Sequence, residues 1–465
     1  MGFIANVLTI LGLNGPKPPG DPLGAAAWKW IRGIAFENGF VPVTSSLPTL
    51  SRDPVTGTVT GQLSYTVPAG LPIAYSIGAA PSHGSVVVDS TGAYTYIPAG
   101  TPVTDAFTVT ASDGLAATSS IVSLPIVATV DLPSSYDIHG LAVSPDGRRL
   151  YVTNTADVGN GHGTVLLIDT ATKTLTGSID GGVSPEAVAI SPDGSRLYAV
   201  NWGQNRSIVS PQVAGAVTVI DTAHQTVSAT IPIGPGPGAA ALSPDGRRLY
   251  VTNTGLTVSV VDTTTNTLSS TIGFAHSPTR VAVSPDGRRL YVTNVWSVPG
   301  PVFGGLLGNV IKAELTVVDT ATNTVTGTIP IAGAGSLAFS PDGSVVYVAG
   351  SQGLSAINTA TNKVINTLDI PASTTAMVVS PDGRTVYLAG CANLGAPTGC
   401  SGSVLAVSTG TLTLDNIIPV GDPTKNVGPD GLAVSPDGKY VYAATSAYYG
   451  LSPEDNWQLV SAISV

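Results

Sequence analysis

The sequence predicts an all-β protein, most of it a ring of repeated four-strand units. Three observations carry that prediction. The tetrad Ser-Pro-Asp-Gly recurs seven times, starting at Ser144, Ser191, Ser243, Ser284, Ser340, Ser380 and Ser435, with starts 40 to 56 residues apart. A period of that size is the mark of a repeat architecture. Apolar, alternating runs flank the copies, such as Leu141-Ala142-Val143 before the first and Leu249-Tyr250-Val251 after the third. Composition agrees: the 465 residues are 43% hydrophobic and only 10% charged, with 54 Gly and 36 Pro, as in a turn-rich β protein.

Each tetrad reads as a hairpin turn between the first and second strands of a unit. Pro presets φ, Asp bonds its own backbone, and Gly takes positive φ. A second turn follows, as in Ile168-Asp169-Thr170-Ala171-Thr172 and Val318-Asp319-Thr320-Ala321-Thr322, and then another short strand such as Val325–Ile329. Four strands and three turns in roughly 40 residues fit one propeller blade. Closure is expected through the ends. Leu459 to Val465 aligns with a third strand, and Val127-Ala128-Thr129-Val130-Asp131-Leu132 resembles the outer strand Ile365–Ile370. The early strand is therefore expected to complete the last blade and remove a free sheet edge.

The motif Tyr-Val-Thr-Asn follows the tetrad at 151–154, 250–253 and 291–294, with weaker copies starting at Tyr198, Tyr347 and Tyr387. This run resembles the YVTN-type, WD40-like β-propeller repeat over residues 126–465. The resemblance implies a seven-bladed ring, and it is specific for fold rather than for activity.

Two regions precede the ring. Residues 47–125 read as about six short strands with Gly and Pro turns, which suggests a β-sandwich. The sequences Pro81-Ser82-His83-Gly84, Tyr94-Thr95-Tyr96-Ile97-Pro98 and Asp105-Ala106-Phe107 resemble bacterial cadherin-like, Ig-like repeats of surface proteins. Asp105 and Asp113 read as turn residues, with calcium ligation as the alternative. The stretch before Tyr75, Val67 to Pro72, lacks the acidic cluster such repeats often carry. Residues 1–46 form a lead segment in which Pro22 to Phe36 is expected to be a short helix. The apolar start is too short to span a bilayer and lacks a basic signal-peptide start. Lead plus Ig-like module resembles secreted proteins of mycobacteria and related actinobacteria, which implies an extracellular or cell-envelope location.

Net charge is −10 and Lys plus Arg total 19 with no basic stripe, which argues against nucleic acid as a partner. The chain is expected to act as a monomer without a cofactor. Cys391 and Cys400 flank a loop; a disulfide would staple it and suit an oxidising compartment, and two free thiols are the alternative. No histidine neighbours the pair, which argues against a metal site.

No nucleotide loop, nucleophile elbow or zinc-protease motif is present, so catalysis has no signature here. The repeat supplies a ruler instead. Five residues before the tetrad serines stand His139, Glu186, Gly238, Thr279, Gly335, Thr375 and Asp430, with Arg280 one place later. After closure, His139, Glu186 and Asp430 are expected to share one arc of the channel mouth, with Arg280 across it. Such a set could act as acid and base or hold a cation; ordinary turn chemistry is the bland alternative. Loops between second and third strands are long at 156–163, 202–215, 295–313, 391–402 and 447–457. Long loops on one face of a repeat ring make binding surfaces. Trp202, Trp296, Phe303, Tyr448, Tyr449 and Trp457 are their candidate aromatic contacts. Asp157, Asn160 and His162 in a Gly-rich loop are candidate metal ligands. Two functions follow as expectations: a surface binding or scaffold protein that meets a protein or glycan, or a sugar-lactone hydrolase resembling the lactonase-type propellers.

Overall fold

The computed structural model describes residues 43–465 except 53–57, 67–71, 100–104, 113–116, 125–126, 134–135, 157–161, 204–213, 304–305, 332, 334, 351–352, 371, 393–400, 421–427 and 448–456. Every regular element among the described residues is a strand. The expected helix at 22–36 and Asp113 lie outside the described residues. The chain divides into two compact units, the second beginning at Val127.

The first unit has two antiparallel sheets. One runs in the order Val43–Arg52, Val59–Thr66, Ala93–Pro98, Gly84–Val88; the other is Ala74–Ala79, Asp105–Ser112, Ala117–Leu124. Alternation along Asp105–Ser112 buries Asp105, Phe107, Val109 and Ala111 on one face, the period-two pattern of a half-buried strand. Tyr94 and Phe107 meet edge to face at 5.3 Å between ring centroids in the core.

Asp105 is structural. Its carboxylate accepts hydrogen bonds from Ser82 N at 2.9 Å, His83 N at 2.8 Å, Ala106 N at 2.9 Å and the Tyr96 hydroxyl at 3.1 Å. Burial alone would raise its pKa; these donors outweigh burial and hold it low. The side chain is thus occupied by protein donors.

The second unit contains, among the described residues, seven four-stranded antiparallel sheets. Six are built from consecutive strands. In the seventh, Pro429–Val434, Tyr440–Ala447 and Trp457–Ser464 are joined by Val127–Leu132, which pairs antiparallel with the last of them from Gln458↔Leu132 to Ile463↔Val127. The innermost strand of each sheet lies beside that of the next, and Pro429–Val434 lies beside Ile138–Val143, so the ring is closed. Apolar side chains of facing sheets fill the gaps between them, as where Tyr198, Val217 and Ile231 meet Leu249 and Val251.

The tetrads explain why each unit turns alike. Each serine Oγ donates to the aspartate two residues on at 2.5–2.6 Å. The same Oγ accepts the backbone N–H five residues on at 2.9–3.0 Å. The glycine takes φ of 70–73° at all seven copies, a conformation that side chains resist. The glycine also meets the proline of the preceding tetrad: a Cβ built on Gly246 would come within 2.9 Å of Pro192. Gly147 faces Pro436 in the same way, so these contacts also run around the ring. In six sheets a threonine of the second turn donates to that glycine's carbonyl, as Thr320 to Gly287 at 2.6 Å.

Segment 295–313, expected as a loop, is mostly a hairpin. Arg289–Phe303 pairs with Leu306–Asp319 out to Phe303↔Leu306. β-Branched residues at Val295, Val298, Val302, Val310 and Ile311 favour extension over a coil.

Replacing Asp105 with Ala is expected to destabilise the first unit by about 2 kcal/mol, because the buried Tyr96 hydroxyl and three backbone N–H groups lose a charged acceptor. Denaturant unfolding of wild type and variant checks it; an unchanged midpoint would contradict the structural role.

Candidate functional site

A cavity of about 560 Å³ opens at the ring centre and is lined by residues of all seven sheets, including His139, Glu186, Trp202, Arg280, Thr375 and Asp430. Local chain irregularity puts them there. Pairing between first and second strands skips one residue at Glu186, Thr279, Thr375 and Asp430, and is irregular across the His139 stretch. Such bulges re-aim side chains. In sheets one and four the Tyr-Val-Thr-Asn threonine contributes. Thr153 Oγ1 accepts Gly140 N at 2.7 Å, and Thr293 Oγ1 accepts Arg280 N at 3.1 Å, in place of regular ladder bonds. The asparagine ties the next strand, as Asn294 Nδ2 donates to Thr316 Oγ1 at 2.7 Å.

The innermost strands crowd at the centre. A Cβ on Gly431 would stand 2.3 Å from the His139 carbonyl oxygen, and one on Gly140 would stand 2.9 Å from Ala187 Cα. Glycine at these places lets the strands bearing Asp430, His139 and Glu186 approach. In sheet four Thr279 is held by Thr293, with hydroxyls 2.9 Å apart. The cavity therefore receives the following residue, Arg280.

His139 is backed by Asp137. Asp137 Oδ2 accepts Thr155 Oγ1 at 2.7 Å, and Oδ1 accepts Ser446 Oγ at 2.9 Å. His139 Nε2 lies 3.4 Å from Asp137 Oδ1, an ion-pair distance without hydrogen-bond alignment. Burial would raise the Asp137 pKa, but His139, Thr155 and Ser446 outweigh it and hold the carboxyl well below the usual range. Burial would lower the His139 pKa, but Asp137, Glu186 and Asp430 more than reverse that and raise it. Asp430 is raised, chiefly by burial, with His139 and Arg280 opposing. Arg280 is open to water, yet the surrounding ring wall desolvates it enough to lower its pKa, with Asp430 opposing. A guanidinium remains charged throughout the physiological range.

Asp137 escaped the reading of the sequence. The ruler could have found it: seven residues before the tetrad serines stand Asp137, Ser184, Gly236, Ser277, Gly333, Ser373 and Gly428, a single acid in the set.

The other candidates scatter. Trp202 lines the cavity. Trp296 stacks on His276 at 3.9 Å with an interplanar angle of 13°, and His276 Nδ1 lies 3.1 Å from Glu314 Oε1. Phe303 and Trp457 fall within strands. Tyr448, Tyr449, Cys400, Asp157 and Asn160 lie outside the described residues, while Cys391 is in strand Thr385–Ala392. His162 Nδ1 is 2.9 Å from Asp180 Oδ1. Among the described residues, no three His, Cys, Asp or Glu side chains group as a metal set.

Comparison with known proteins agrees with this architecture. Residues 40–124 match the Bacterial Ig domain family, and residues 101–293 match the Choice-of-anchor I domain family. The chain is similar to the seven-bladed beta-propeller protein Rv1057 of Mycobacterium tuberculosis, 32% identical over 144 residues, which is 30% of this chain and 31% of that protein. That alignment thus spans under a third of the relative's length. The solved Kuenenia stuttgartiensis Hydrazine Synthase superposes with a TM-score of 0.53 at 23% identity, covering 71% of this chain and 96% of that one. At that identity the likeness shows the fold alone. The protein is a β-propeller protein with an Ig-like domain.

The Asp137–His139 pair sets a pH dependence. Asp137, with a lowered folded pKa, contributes stability above its ordinary value of 3.8 and loses it as pH falls. His139, with a raised folded pKa, contributes below its ordinary value of 6.5 and loses it as pH rises through the folded value. The stability gap between wild type and Asp137→Asn is expected to be widest between about pH 4 and 6.5 and to narrow on either side. Unfolding measured across pH checks this; a flat gap would contradict the pairing.

Proposed function

We propose that this is an extracellular or cell-surface binding protein, a seven-bladed β-propeller whose cavity-bearing end meets a protein or glycan. The observation that carries the reading is the sheet-four hairpin. Inner strands begin where second strands end, as Pro278↔Asn294 shows, so the hairpin extends from the end where Arg280 stands. Its Ile311 side chain is 67% exposed. Exposed apolar groups on an extension of that kind suit contact with a partner. The Ig and choice-of-anchor matches support a surface location. A Cys391–Cys400 disulfide belongs to the same reading.

The test is binding of the full chain to arrays of bacterial-surface glycans and extracellular proteins, beside a variant in which residues 296–311 are replaced by Gly-Gly. A ligand that binds the variant at least tenfold more weakly, with thermal unfolding unchanged, is the expected result. Equal binding by both would remove the hairpin from the function.

A second reading rests on the cavity. His139, Glu186, Arg280 and Asp430 line one space of small-molecule size, which is what a lactone hydrolase needs: an acid–base set and a cation to steady a developing oxyanion. Under this reading Glu186→Ala lowers hydrolysis of a sugar-lactone panel at least a hundredfold. Background rates in wild type and variant alike would end it.

A further inference from the structure

The cavity carries charge of both signs, and the signs are held apart. Arg280 comes from sheet four, while Asp430, His139 and Glu186 come from sheets seven, one and two, which are consecutive around the closed ring. Arg280 is also singular in the repeat. Four residues before the other tetrad serines stand Gly140, Ala187, Ala239, Ser336, Ala376 and Gly431, all small. Its Nη1 donates to its neighbour's carbonyl, Thr279 O, at 3.2 Å. That is an exposed cation, in a cavity, at a place where the fold asks for a small residue.

The opposite wall suits a cation. Trp202 lines the cavity beside Glu186, its backbone N bonded to Ser184 O at 3.0 Å. An aromatic face next to carboxylates is the arrangement that recognises ammonium groups. His139 does not spoil it, because Asp137 stands 3.4 Å behind the ring and balances its charge. Among the described lining residues, Glu186 and Asp430 stand on sheets two and seven and Arg280 on sheet four. A simple anion would meet the carboxylates, and a simple cation would meet Arg280.

We infer that the central cavity binds a small zwitterion, with its anionic end on Arg280 and its ammonium between Trp202, Glu186 and Asp430. The two charges must be several bonds apart to reach both walls, and a cavity of about 560 Å³ is of the size that holds small-molecule ligands. A short peptide with free ends has this chemistry, and so does an ammonium–phosphate headgroup. This inference is independent of what the outer hairpin binds.

Calorimetric titration of the full chain with triglycine, N-acetyl-triglycine, triglycine amide and glycerophosphocholine tests it. At least one of the two zwitterions, triglycine or glycerophosphocholine, is expected to bind; tight binding of glycerophosphocholine alone would assign the anion as a phosphate diester rather than a carboxylate. If triglycine binds, each cap is expected to weaken it tenfold or more. Arg280→Ala, which installs the residue found at three other repeats, is expected to weaken the bound zwitterion tenfold with unchanged thermal unfolding. Glu186→Gln with Asp430→Asn is expected to do the same from the other end. No heat from either zwitterion at concentrations on the order of 10 mM, caps that leave affinity within about twofold, or unchanged binding by Arg280→Ala would each overturn the inference.

Discussion

Ring closure is the constraint on which the rest depends. A stack of four-stranded sheets has two ends, and each end would expose an apolar face and an unpaired edge. Here Val127–Leu132 completes the sheet of Trp457–Ser464, so the first and last sheets become neighbours. The Gly–Pro contacts between successive tetrads close on themselves as well, through Gly147 and Pro436. Main-chain pairing, core packing and turn contacts thus impose the same closure.

The cavity chemistry is a consequence. Asp137 belongs to the linker before sheet one and Ser446 to sheet seven, and they bond only because those sheets meet. The same adjacency puts Asp430 and His139 close enough for each to shift the other's titration. Bulges at Glu186, Thr375 and Asp430 coincide with side chains that line the cavity. In sheets one and four the repeat's own threonine, Thr153 or Thr293, takes a backbone N–H at the irregularity, whereas the bulges at Glu186, Thr375 and Asp430 form opposite Val200, Ala389 and Ala444 without it.

Much of this was legible in the chain because the repeat repeats. Seven tetrads announced sheets, turns and spacing, and counting from them pointed to His139, Glu186, Arg280 and Asp430 as residues of one region. Three features were not legible. The Asp105 carboxylate looked like a turn residue or an ion ligand, because its donors Ser82 and His83 are distant in sequence and only the fold brings them near. The 295–313 segment looked like a loop, because Gly and Pro interrupt its alternation. The role of Asp137 was not legible because its partners, Thr155 just after Arg149–Asn154 and Ser446 in Tyr440–Ala447, are brought to it only by the fold.

The tetrad itself proves to be more than a turn. Its serine and aspartate satisfy each other and the next strand's N–H groups, while its proline and glycine touch adjacent sheets. The claim at the centre is that Val127–Leu132 is a full member of the last sheet. Amide hydrogen exchange of the intact chain tests it most directly. Closure predicts that amides of Val127–Leu132 which pair with Trp457–Ser464 exchange as slowly as those of Arg248–Asn253. Rapid exchange confined to Val127–Leu132, with the other sheets protected, would contradict it.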